Sequence, residues 1–109
     1  MSYVSKYCRW RVVPTNLTTD GVTSLRDQIK SFVAKLRDAG VQSAKVLAKI
    51  VMLPSPTQYE FVIEEKTWSL NPANMTDTDL DNFDSEIAQV IANHQGFGVK
   101  EMYFEVSAT

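Results

Sequence analysis

The sequence predicts a two-layer α+β sandwich, with four antiparallel strands packed against two helices. Three observations predict it. Segments of period-two alternation and segments of three- and four-residue apolar spacing follow one another as strand, helix, strand, strand, helix, strand. Every helix has one apolar stripe and every strand one apolar side, so each layer has one face to bury and one to leave in water. The chain has 109 residues, 44% apolar and 22% charged, which is the size and composition of one domain with a single core. The same values exclude a disordered tail, a collagen-like chain and a disulfide-rich toxin.

The first strand covers residues 6–13. Cys8, Trp10 and Val12 lie on one side and Tyr7, Arg9 and Arg11 on the other, and Pro14 stops it. After a polar loop, Val22, Leu25, Ile29, Phe32, Val33 and Leu36 form a helical stripe. Ser24 and Asp27 are spaced for a capping box, and Gly40 suits the C-terminal cap. Residues 43–53 alternate as a second strand, and a third follows at about 58–66, reaching toward Trp68. Two prolines in Pro54-Ser55-Pro56-Thr57 exclude a regular strand between them. Beyond the Asn71-Pro72-Ala73-Asn74 loop, a second helix starts near Thr76 or Thr78. It carries Leu80, Phe83, Ile87, Val90 and Ile91 inward and ends at Gly96. The last strand, residues 99–106, turns Met102, Phe104 and Val106 to one side. The expected core includes Trp10, Val12, Ile29, Phe32, Phe61, Ile63, Ile87, Ile91 and Phe104.

This order is that of a ferredoxin-like βαββαβ sandwich spanning residues 1–109, with both helices on one face. Its usual strand order is fourth, first, third, second. The open face then reads Glu101, Tyr103, Glu105; Tyr7, Arg9, Arg11; Glu60, Val62, Glu64; Lys45, Leu47, Lys49, Val51. The signs alternate across that order, and each opposite-charge neighbour pair contributes roughly 0.2–1 kcal/mol.

Several chemistries find no support. Cys8 and His94 are the only residues of their types, and the topology separates them by about 20 Å, against the ~3 Å that a nucleophile and base need. Cys8, beside Trp10 on the packed face, is expected to be a shielded, inert thiol. One Cys and one His cannot make a zinc site of the usual ligands. Asp77, Asp79 and Asp81 resemble the opening of an EF-hand loop, but Asn82 stands where glycine is needed and Ala88 where a bidentate glutamate is needed. An acidic first helical turn, with Thr76 and Asp79 as a capping box, accounts for them better. Gly96-Phe97-Gly98 follows a helix and precedes a strand, the reverse of a dinucleotide fingerprint, and reads as a C-cap with an apolar fold-back. No metal and no cofactor is expected.

RNA-recognition motifs share this topology. Tyr59 and Phe61 have the spacing of base-stacking aromatics, but no basic residue or glycine precedes them. The net charge is −2 and four glutamates line the open face, so nucleic acid is disfavoured. The charged N-terminus does not read as a secretory signal and no apolar run approaches the ~20 residues of a membrane span, so the expected location is intracellular, in the cytoplasm.

Two surfaces remain. The open sheet face offers Tyr7, Arg9, Arg11 and Tyr103, self-complementary in charge and suited to homodimerisation. The central hairpin gathers Val51, Met52, Leu53, Pro54, Pro56 and Tyr59 around its tip. The expected function is a non-catalytic protein-interaction module, of adaptor or inhibitor type, acting through the hairpin tip, the sheet face or both on another protein. The alternatives are a small enzyme or ligand binder of the dimeric α+β-barrel kind and an RNA-binding domain.

Overall fold

The computed structural model describes residues 5–96 and 98–108. The elements run β1 (Tyr7–Val12), α1 (Thr19–Asp38), β2 (Ala44–Met52), β3 (Phe61–Leu70), α2 (Asp77–Asn93) and β4 (Val99–Ala108), with single 3-10 turns at Pro14–Asn16 and Pro72–Asn74. The four strands form one antiparallel sheet, and both helices share a core with one side of it. The ferredoxin-like α+β sandwich is therefore the architecture.

The sheet order is β1-β4-β2-β3, not the expected fourth, first, third, second. Both orders contain the pairs β1–β4 and β2–β3; they differ only in the central pair. The charge pattern could not separate them, because β4 against β2 is acidic against basic, just as β1 against β3 would be. Length and apolarity decide instead. A central strand is covered on its helix side along its whole length, and β2 and β4 supply Ala44, Val46, Ala48, Ile50, Met102, Phe104 and Val106, all buried. β1 has only six residues, and β3 carries Glu64, Glu65 and Lys66, charges of the kind that protect an edge.

Both helices are capped by their own sequence. Thr18 caps α1, its Oγ1 accepting from the Gly21 N–H at 3.0 Å. Ser24, the expected cap, lies inside the helix, where its hydroxyl accepts from Gln28 instead. Gly40 at φ +77° ends α1, with Gly40 N–H donating to the Arg37 carbonyl and Val41 N–H to that of Leu36. Left-handed geometry of this kind favours glycine. Thr76 and Asp79 form the expected capping box on α2. The fold-back expected of Phe97 lies outside the described residues.

The helices pack antiparallel through ion pairs of one polarity. Arg26 donates twice to Asp84, at 3.1 and 2.7 Å, Lys30 meets Asp81 at 2.6 Å, and Arg37 meets Asp77 at 2.9 Å. The three aspartates that resembled an EF-hand opening are thus divided between two helix–helix ion pairs and a capping box.

Candidate protein-binding surface

A β-bulge shapes β3. Ala48 pairs with Lys66 and Lys49 with Glu64, which leaves Glu65 as the extra residue. The bulge resets the phase, so Trp68 faces the helices and packs edge-on against Phe83, with ring centroids 5.5 Å apart. Before the bulge, Ile63 lies opposite Ile50 and Phe61 opposite Met52, which places both on the helix side as expected.

They are nevertheless not core residues. Phe61 is 48% exposed and Ile63 38%, while Val62 on the other side is 62% exposed. The helix layer stops short of them. His94, the C-cap of α2, has its Nε2 3.5 Å from Glu65, which marks where that helix ends along β3. Phe61, Val62 and Ile63 lie beyond that point, on an arm that the helices do not cover. Tyr59, in the loop leading into β3, is 93% exposed.

The other strand of the arm is anchored. Leu53 N–H donates to the Gly98 carbonyl at 2.8 Å, and the Met52 methyl and Pro54 Cα border Gly98, whose φ is +91°. Met52, Leu53 and Pro54 are half-buried as a result, and Pro56 is exposed. Val51, on the open side between Val62 and Glu101, is only 7% exposed and offers no side chain to a partner. The accessible apolar surface of the hairpin is therefore its β3 limb, 59–63, more than the Val51–Leu53 limb. Alternation in the sequence assigned Phe61 and Ile63 to a side of the sheet correctly. Their exposure depends on where a helix ends.

The open sheet face is occupied by its own charges. Arg9 lies 3.7 Å from Glu105, which Lys49 approaches at 3.5 Å; Arg11 pairs with Glu101, and Tyr103 donates to the same carboxylate. The Arg9 guanidinium sits 4.1 Å from the centre of the Tyr103 ring. Hydrogen bonds from Arg11 and then Tyr103 hold the Glu101 carboxyl down at about 2. Tyr7 stands exposed at the end of this ladder.

Because β1 is an edge strand, two further expectations change. Trp10, Val12 and Phe32 are only half-buried; Trp10 packs edge-on against Phe32 and donates to Gln28. Cys8 is half-buried too and lines a groove of about 590 Å³ between β1 and α1, with Trp10, Phe32, Asp27, Gln28 and Lys35. Its thiol is not sealed into the core. His94 faces the opposite sheet edge, so Cys8 and His94 stand at least three strand spacings apart, more than ~14 Å. Among the described residues, no group of three or more His, Cys, Asp or Glu is arranged to hold a metal ion, and no helix is long and apolar enough to cross a membrane. No family model matches the chain, and no curated protein matches it in sequence.

Proposed function

We propose that this chain is a non-catalytic protein-interaction module whose binding element is the β2–β3 arm. One observation carries the reading: Tyr59, Phe61, Val62 and Ile63 are all exposed apolar side chains, Phe61 and Ile63 on the helix side of the sheet and Val62 on the other, at the end the helices leave bare. Taking aromatic side chains at about 200 Å² each, the four present roughly 450 Å² shared between the two sides of the sheet, as much as the largest apolar patch of an ordinary monomer, which is often functional. The anchored Met52–Pro54 limb and the two prolines hold the arm in shape, which reduces the entropy lost on association.

The test compares the wild type with a Tyr59→Ser/Phe61→Ser variant as bait in affinity capture from the native host. A protein retained by the first and lost with the second supports the reading. Identical retention by both refutes it.

A second reading, a small-ligand binder, has its place in the groove beside Cys8 and Trp10, which is open along its length and brings Trp10 and Phe32 together with the polar groups of Asp27, Gln28 and Lys35. A ligand bound there would change Trp10 fluorescence and leave the arm variant's behaviour unaltered.

A further inference from the structure

We infer that the occupant of the arm is a second copy of this chain, joined by antiparallel pairing of β3 with β3 across a two-fold axis centred on Phe61. The inference rests on the arm being the binding element and names its partner.

β3 is the last strand of the sheet order, so among the described residues no strand pairs with its outer edge. The edge is protected unevenly. From residue 64 onward it has the bulge and the run Glu64-Glu65-Lys66, both devices that block strand addition. Residues 59–63 have neither prolines nor a bulge; Tyr59 and Glu60 precede the first residue of β3, so pairing there extends β3 by the two residues before it, and the one charged member of the five, Glu60, is drawn into an ion pair with Lys100 on β4. The opposite edge differs: β1 carries Arg9 and Arg11 on its open side.

The occupant must be a strand, because the exposed apolar side chains lie on both sides of the sheet. Phe61 and Ile63 are on the helix side and Val62 on the open side. A globular surface laid on one side would leave the other bare, whereas a strand added edge to edge covers both.

Side-chain matching selects the register. A two-fold axis perpendicular to the sheet keeps like sides together, so the centre must fall on a residue. Centred on Val62, the pairing sets Glu60 against Glu64 of the second copy, twice, and directly opposed like charges repel. Centred on Ile63, it sets Phe61 against Glu65 and Val62 against Glu64, and meets the bulge. Centred on Phe61, it stacks Phe61 on Phe61, covers each Tyr59 with an Ile63, and sets Glu60 against Val62 and Gln58 against Glu64, one charge–apolar pair of the kind the Ile63 register also has, but with the bulge left outside the pairing. No like charges oppose one another, and the most exposed aromatic of the arm gains an apolar cover. Two such arms carry roughly 900 Å² of exposed apolar surface, of which edge pairing covers the flanks, so the contact lies at the small end of specific interfaces and the paired backbones supply the rest of it. The two-fold closes the assembly as a dimer with one continuous eight-stranded sheet.

Site-directed cross-linking in a Cys8→Ser background tests the register. Directly opposite residues of antiparallel strands have Cα atoms about 4.5–5.5 Å apart, within the ~4.4–6.8 Å that a disulfide spans. Phe61→Cys should therefore convert almost wholly to a covalent dimer under mild oxidation. Two Val62 residues would stand on the order of 8 Å apart, two residues of rise and one strand spacing, so Val62→Cys should yield less than a tenth as much. Tyr59→Cys/Ile63→Cys retains Phe61 and should cross-link as fully as Phe61→Cys, which covers the case in which losing the ring weakens the pair. Light scattering should show a wild-type dimer and a Phe61→Asp monomer of unchanged circular dichroism. A wild type that stays monomeric at millimolar concentration, equal cross-linking at 61 and 62, or open-ended oligomers would each overturn the inference. If the chain is monomeric yet the arm variant loses a captured host protein, only the second copy is wrong. If the variant also captures normally, the arm itself is wrong.

Discussion

Phe61 and Phe104 lie on the same side of the same sheet, and truncating each measures how far the helix layer reaches. Phe104 is fully buried. It stands between Trp10 on β1 and Ala48 on β2, filling the space above that small residue. Removing the ring forfeits a transfer free energy of about 3 kcal/mol. Hydrogen-bonded strands on both sides prevent collapse, so a cavity cost is added and Phe104→Ala should lose roughly 3–5 kcal/mol. Phe61 is already 48% exposed, and its removal opens no closed void. Phe61→Ala should cost only about 1 kcal/mol, half or less of the burial value. Urea titrations followed by Trp10 and Trp68 fluorescence, at a concentration low enough for a monomer, give both values. Equal losses, or a Phe104→Ala loss under ~1 kcal/mol, would show that the helices cover the sheet differently.

Three other outcomes are expected. Thr76→Ala removes one half of the α2 capping box and should cost about 1 kcal/mol by thermal or urea unfolding, while Ser24→Ala, inside α1, should be near neutral. The Glu101 carboxyl, at about 2 in the folded chain against about 4.3 when unfolded, contributes stability that is complete above the unfolded value and is lost as pH falls toward the folded one. Melting temperatures of Glu101→Gln should therefore decline less steeply than the wild type's between those two pH values, and parallel curves would contradict the Arg11 and Tyr103 hydrogen bonds. Cys8 should react with a small thiol reagent in the folded protein without denaturant, because it opens on the β1–α1 groove; protection as strong as the global stability would place it in the core.

Local chemistry was legible in the sequence. The βαββαβ order, the α2 stripe, the Thr76–Asp79 box and the Gly40 terminus depend on residues within a few positions of one another, and their periodicity and spacing carry the information. The side of the sheet to which Phe61, Ile63, Phe104 and Cys8 belong was legible for the same reason, since alternation has a period of two. Burial was not, because it depends on what another part of the chain brings to that side. The strand order, left open by a charge pattern that both arrangements satisfy, put β1 at an edge and left Cys8 and Trp10 half-covered. The bulge at Glu65 shifted the phase that carries Trp68 inward, and no composition signal marks a bulge between charged residues. The candidate surface follows from both effects. The hairpin was visible as an apolar tip, but its exposed part is the 59–63 limb, because α2 ends beside Glu65 and the Val51–Leu53 limb is held against the sheet and Gly98. Helix length, strand order and register meet only in the folded chain, and together they set which apolar residues stay in water.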